Sequence, residues 1–389
     1  MATDLTLIAT CPMGLEAIVA RELAALGYAD TRTDNGRVSF RGGLLDICRT
    51  NLWLRTADRI LIHMGSFPAH TFEELFEGTK ALDWPAWIPE DGVFPVDGRS
   101  HKSQLSSVPA CQSIVKKAIV ERMKAQYGHE WFPEDGARYA AEVSLLGDIA
   151  HLTLDTTGPS LHKRGYRLQS TEAPLKETMA AALVLLSRWR AERPLYDPFC
   201  GSGTLPIEAA MIAWNLAPGL RRTFSSEAWP IIGEALWEQA REEAYDAVRD
   251  DTPLDIAGSD IDSEAIAIAE AAARKAGLGR ELRWEVLPAA KIAPAGRFGC
   301  IVTNPPYGER LGNDREAEAA IRQLSASAGR LGDWSVFAIS PDKSFERVYG
   351  RPADKRRKLY NGRIECQFYQ FFGPLPPRPP KQSAAGEPS

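Results

Sequence analysis

The chain has 389 residues, of which 44% are hydrophobic and 25% charged, a globular composition too long for one ordinary core, so two or three domains are expected. Its 46 Lys and Arg against 51 Asp and Glu give a net charge of −5, which excludes a uniformly basic, nonspecific nucleic-acid binder but not a local basic face. No apolar run reaches the roughly 18 residues that span a bilayer, and Met1-Ala2-Thr3-Asp4 lacks the basic start of a secretory signal.

In chain order, Leu5 to Ala9 reads as a strand. Gly14 to Leu26 has helical spacing and stops at Gly27, Val38 to Phe40 alternates as a strand, and Leu44 to Trp53 is helical. Thr71 to Leu82 follows as a helix with an N-capping threonine. Phe94 to Asp97 is strand-like and leads into a polar loop, Arg99 to Gln104. Ser113 to Tyr127 is a helix, and the Gly147-Asp148 turn joins two alternating runs, 140–146 and 149–155, as a hairpin. From about residue 158 strands alternate with longer helices, the mark of a parallel sheet. There Pro174 to Trp189, Leu205 to Ala213 and Ala265 to Ala276 are helices, and 194–196, 256–260, 300–302 and 335–339 are strands. The expected segments are 1–60, a small α+β unit; 61–157, a second such unit; 158–373, an α/β domain; and 374–389, a proline-rich tail too apolar-poor to pack. The six cysteines, at 11, 48, 111, 200, 300 and 366, have no short paired spacing. Neither a zinc site nor a disulfide framework is expected, no metal is called for, and a reducing cytoplasm suits them.

Two octets carry the chemistry. In Asp197-Pro198-Phe199-Cys200-Gly201-Ser202-Gly203-Thr204, two glycines let the backbone turn sharply between strand and helix. A phosphate loop would need a Lys where Leu205 stands, and a dinucleotide loop would need a third glycine. With Asp197 beside it the loop favours a cationic or neutral ligand such as S-adenosylmethionine. Asp260, followed by Ile261 at the next strand's end, is placed for ribose hydroxyls, and Asp262 is assigned to capping. In Thr303-Asn304-Pro305-Pro306-Tyr307-Gly308-Glu309-Arg310, the Asn304 oxygen and the Pro305 carbonyl can hold the hydrogens of a planar amine. The two prolines stiffen the loop, and Tyr307 offers a stacking face for a flipped base. Candidate catalytic residues are therefore Asn304, Pro305, Pro306 and Tyr307, with Asn304 also at the cofactor.

These octets, with Cys11-Pro12-Met13-Gly14-Leu15-Glu16, Ser103-Gln104-Leu105, the segment Leu161 to Arg167, Ala173 to Thr178 and Lys358-Leu359-Tyr360-Asn361-Gly362, resemble the THUMP-domain RNA methyltransferases of the bacterial 23S rRNA guanine-N2 type. The resemblance spans about residues 5 to 373. It implies a ferredoxin-like piece over 1–60, a THUMP RNA-binding domain over 61–157 and a Rossmann-like methyltransferase domain over 158–373. It implies S-adenosylmethionine as donor and N2-methylguanosine as product. The chain departs from the pattern at Leu287 to Lys291, which offers no acid for the adenine amino group, and it lacks the second methyltransferase domain of some relatives, so one activity is expected.

A structured RNA is the expected partner, ribosomal first and transfer RNA second, with no membrane and no metal. Residues 61–157 hold eight Lys/Arg against fourteen Asp/Glu, so contact falls to local clusters. The candidates are Lys102 in the polar loop, Lys116, Lys117, Arg122 and Lys124 on one helix, and Lys163, Arg164 and Arg167 beyond it; Lys355-Arg356-Arg357-Lys358 extends the same idea. Shape recognition of a folded RNA suits such a surface better than sequence readout. Competing readings are a transfer-RNA guanine-N2 enzyme, an adenine-N6 methyltransferase, and a ribosome-assembly factor that binds RNA without catalysis.

Overall fold

The computed structural model describes residues 4–167, 175–307, 314–362 and 364–377. Pro174 at the start of one expected helix, Gly308 to Arg310 of the second octet, and 378–389 of the tail lie outside the described residues.

The first half is one seven-stranded sheet, formed by β1 (Leu5–Thr10), β2 (Thr31–Asp34), β3 (Arg37–Gly42), β4 (Arg59–Pro68), β5 (Val96–His101), β6 (Ala141–Leu146) and β7 (Ile149–Asp155), in the order β2-β3-β1-β4-β7-β6-β5. Helices α1 (Glu16–Ala25), α2 (Leu44–Trp53), α3 (Phe72–Lys80) and α4 (Val108–Tyr127) accompany it. Thr71 caps α3 by accepting from the Glu74 amide at 3.2 Å, as its sequence predicts. Strand β4 joins the two small units: it pairs with β1 over Arg59 to Ile62 and with β7 from Leu61 onward. Position 60/61 thus falls inside a strand that both units share. Arg99 to His101, expected in a loop, continue β5, because each pairs in register with Ser144, Leu145 and Leu146 of β6.

The second half holds β8 (Leu195–Asp197), β9 (Ile256–Asp260), β10 (Arg283–Val286), β11 (Cys300–Thr303), β12 (Ser335–Ser340), β13 (Lys355–Asn361) and β14 (Ile364–Phe371). With them come α5 (Glu177–Leu186), α6 (Thr204–Ala213), α7 (Glu234–Asp246), α8 (Ser263–Lys275), α9 (Asp314–Leu331) and α10 (Phe345–Tyr349). The sheet order is β10-β9-β8-β11-β12-β14-β13, parallel through β12 and antiparallel beyond it. Strands β8, β11 and β12 are buried at every position, which is why they read as continuous apolar runs rather than as alternation. The chain winds from β8 toward β9 on one side and returns to β11 on the other. This reversal opens a crevice beyond the carboxyl ends of β8 and β11. Among the described residues no helix is long and apolar enough to cross a membrane.

Candidate active site

Both octets sit at that crevice, because β8 and β11 are paired neighbours, Leu195 with Cys300 and Tyr196 with Ile301. The glycine loop needs its glycines for different reasons. Gly201 has φ +49° with open space where a side chain would stand. Gly203 has φ +77°, and a Cβ there would meet the Trp284 ring at 2.6 Å and the Ala269 Cβ at 2.9 Å. The first keeps the floor of the crevice clear, and the second lets α6 start hard against its neighbours.

Asp260 clamps the loop. Its Oδ2 accepts from the Gly201 amide at 3.0 Å and its Oδ1 from the Asp262 amide at 3.1 Å, leaving further lone pairs toward the crevice. Asp262 caps α8 by accepting from the Glu264 amide at 2.8 Å, as expected, and also lines the crevice. Asp197 does not reach the wall. It is 1% exposed, and its Oδ1 accepts from the Thr303 hydroxyl at 2.6 Å and the Phe199 amide at 3.1 Å, tying β8 to β11 beneath the site. Burial pushes its carboxyl up to about 7.

The crevice is a hollow of about 580 Å³, within the range of small-molecule sites. Of the residues expected there, Pro198, Phe199, Gly201, Asp260, Ile261, Asn304 and Pro306 line it. Cys200, Ser202, Gly203 and Thr204 stand behind the loop instead, where each is buried or nearly so; the Cys200 thiol is driven well above its usual range by burial. Ile261 is 75% exposed at the rim, an apolar side chain available to cover a flat ring. Sequence reasoning missed Ala265, Ala289 and one face of α9: Glu316, Ala319, Ala320 and Gln323. Their i, i+3, i+4, i+7 spacing was the signal that could have found that face. Ala289 lies in the segment without an acid, so it lines the wall with a methyl group. Asn304 is 9% exposed in this wall, while Tyr307, 7% exposed, lies on the other side of Pro306, in a second hollow of about 430 Å³. Pro305 lines neither.

The basic residues divide. Lys102 and Lys163 are exposed, as is Lys117, whose ammonium stands 5.7 Å from the Phe76 ring. On the same helix Lys116 is engaged by Glu134 at 2.6 Å and lies over the Phe94 ring, Arg122 pairs with Asp83 at 3.2 Å, and Lys124 with Glu130 at 2.8 Å. Arg164 and Arg167, expected among the RNA contacts, turn inward instead, the first buried and the second half-buried. Arg164 is 2% exposed and faces Glu208, and it donates to the Leu161 carbonyl at 2.8 Å. Arg167 donates to Glu177 at 2.9 Å, the Leu175 carbonyl at 2.8 Å and the Thr204 hydroxyl at 3.1 Å. Buried carboxylates on α5 and α6 drew both guanidinium groups inward. The run Lys355 to Lys358 is edge strand β13, where Arg357 turns back to the Gly14 carbonyl at 2.7 Å. All six cysteines are buried and free, and among the described residues no group of His, Cys, Asp and Glu could hold a metal.

A glycine loop and an Asn-Pro-Pro-Tyr turn at the switch point of this sheet define a methyltransferase domain. Residues 164–370 match the family described as the RMKL-like methyltransferase domain, residues 6–61 the RlmL ferredoxin-like domain, and residues 69–155 the THUMP domain. The chain belongs to this family of THUMP-containing RMKL-like methyltransferases. It is 50% identical over 382 residues to "Putative RNA methyltransferase YpsC" of Bacillus subtilis, covering 98% of this chain and 99% of that one. It is 34% identical over 371 residues to the "Ribosomal RNA large subunit methyltransferase K/L" of Shewanella baltica, covering 94% of this chain and 52% of that longer protein. The crystal structure of "SMU.472, a putative methyltransferase complexed with SAH" superposes with a TM-score of 0.92 at 45% identity, over 97% of this chain and all of that one.

Proposed function

We propose that this protein transfers a methyl group from S-adenosylmethionine to the exocyclic N2 of a guanine in 23S rRNA, giving N2-methylguanosine. One observation carries the reading. Pro306 partitions two hollows, with Asn304 lining the larger and Tyr307 the smaller, so an amine at the turn would lie between a cofactor and a base. The larger hollow suits S-adenosylmethionine: Asp260 and Asp262 for its ribose hydroxyls, Ile261 and Ala289 for its adenine, and the open floor at Gly201 for its amino-acid arm. When bound, this cofactor supplies a methyl carbon activated by an adjacent positive sulfur.

The protein's own residues contribute position rather than covalent chemistry. The Asn304 side-chain oxygen and the Pro305 carbonyl accept the amine hydrogens and turn its lone pair toward the larger hollow. Tyr307 stacks on the flipped base, worth about 1–3 kcal/mol. The choice of ribosomal RNA is supported by the large-subunit K/L relative, the THUMP match by an RNA substrate in general. Nucleoside mass spectrometry of 23S rRNA and tRNA from cells lacking the gene tests it. Loss of N2-methylguanosine from 23S rRNA is expected. Loss from a transfer RNA alone, or loss of N6-methyladenosine instead, overturns it.

A further inference from the structure

The smaller hollow contains two carboxylates besides the turn, and they differ in one respect. Glu318 is neutralised by Arg322 at 2.7 Å and Arg347 at 3.2 Å. Asp342 has no cation partner among the described residues. Its neighbours instead hold it still. Its Oδ1 accepts from the Ser344 amide at 2.7 Å and its Oδ2 from the Ser344 hydroxyl at 3.0 Å. Its own amide donates to the Ser340 hydroxyl at 3.1 Å, and its carbonyl accepts from the Tyr369 hydroxyl at 3.0 Å. A carboxylate oxygen has two lone pairs, so each keeps one unused. The Ser340 hydroxyl accepts from Asp342, and its hydrogen meets no acceptor among the described residues.

We propose that Asp342 makes this hollow select guanine by accepting the N1–H hydrogen that lies beside the reacting amine; the inference rests on the guanine-N2 reading above. Adenine, cytosine and guanine all carry an exocyclic amine, but only in guanine is a ring N–H adjacent to it. Adenine N1 and cytosine N3 place a lone pair at that position, which a fixed carboxylate repels. Guanine also places its O6 carbonyl next to N1, where the Ser340 hydroxyl has a hydrogen to give. Sites built on such polar complementarity reject analogues that leave a buried group unpaired far more strongly than apolar pockets do.

Asp342→Asn tests this, because an amide oxygen still accepts from the Ser344 amide and keeps the start of α10, while the amide nitrogen can point a donor at the base. The purified full chain is assayed with labelled S-adenosylmethionine on rRNA and tRNA from cells lacking the gene. The expected result is a fall of about 30-fold or more in kcat/KM for N2-methylguanosine formation, with S-adenosylhomocysteine affinity and thermal midpoint unchanged. Formation within threefold of the parent overturns it. Saturation-transfer NMR on the S-adenosylhomocysteine-loaded protein decides independently of turnover: guanosine 5′-monophosphate should bind in preference to adenosine 5′-monophosphate, and Asp342→Asn should erase the preference. Equal binding of the two by the parent overturns the role of Asp342. N2-methylguanosine found only in tRNA, with the preference intact, refutes the ribosomal substrate and leaves the role of Asp342 standing.

Discussion

Replacing Arg164 with alanine should destabilise the protein without touching RNA affinity per folded molecule. The Arg164 side chain is 1% exposed and that of its partner Glu208 is 0% exposed. The guanidinium donates to Glu208 at 3.4 Å, to the Leu161 carbonyl at 2.8 Å and to the Arg55 carbonyl. Glu208 keeps the Tyr166 hydroxyl at 3.0 Å, but its Oε2 already has no hydrogen-bond partner. Alanine at 164 therefore leaves a buried carboxylate with one neutral donor and orphans two carbonyls. Breaking a buried pair from one side costs about 3–5 kcal/mol. For a methyltransferase domain of this size that corresponds to roughly 6–20 °C in thermal midpoint. A paired substitution, Arg164→Met with Glu208→Leu, removes both charges and should recover most of the loss, since apolar replacement of a whole buried pair is often neutral. Calorimetry measures the midpoints, and salt-titrated RNA binding measures the surface role. An Arg164→Ala protein that melts within about 1 °C of the parent yet binds RNA more weakly would refute the placement of this arginine in the interior.

Three further outcomes follow from the same geometry. Asn304→Ala should lower methyl transfer by about 10²-fold or more, as loss of a preorganised polar group does, with S-adenosylhomocysteine affinity within a few-fold; a variant that turns over normally removes the hook. Asp197 has a folded-state carboxyl raised to about 7 from 3.8, so its contribution to stability is fully present below about pH 4 and is lost as pH rises through about 7. Asp197→Asn should therefore gain on the parent in denaturant unfolding at pH 8 relative to pH 5, and an identical pH dependence in both proteins would contradict the burial argument. Changing exposed Lys102, Lys117 and Lys163 together to alanine should reduce the log–log salt slope of RNA binding by about 2, at roughly 0.7–0.9 per phosphate contact; an unchanged slope removes all three from the interface.

What was legible in the sequence was local. The Gly147-Asp148 turn adopts φ of +57° and +64°, as a two-residue hairpin requires, and Thr71 caps its own helix. The loops after β8 and β11 could be found because a buried parallel strand is a dense apolar run followed by polar turn residues. What failed depended on distant partners. Strand β4 shifts register between His63 and Gly65, so its alternation is interrupted midway. Arg164 and Lys163 are adjacent and equally basic, yet one is buried and the other exposed, because only the first meets Glu208 from α6. In the basic run of β13, Lys355, Arg356 and Lys358 stay exposed beside β14, and only Arg357 turns inward, because it meets the Gly14 carbonyl from the first sheet unit.

The halves are not beads on a string, and this bears on how a substrate would be measured. Trp229, between α6 and α7, stacks on Tyr139 at 4.6 Å and donates its indole N–H to the Arg138 carbonyl at 2.9 Å. Arg49 of α2 grips Glu243 of α7 through two bonds of 2.7 Å. Gly219 donates its amide to the Leu52 carbonyl at 2.9 Å, and a Cβ there would stand 2.7 Å from the Leu52 Cα, so only glycine lets the two backbones meet. Leu7, Leu154, Ile207 and Phe337 belong to one continuous buried cluster. Among the described residues these contacts tie the THUMP unit directly to the domain that carries the crevice. On the proposed reading, an RNA held by the first sheet unit is presented to Asn304 at a fixed reach. The target would then be chosen twice, by its distance from the docking surface and by the chemistry of the base that arrives.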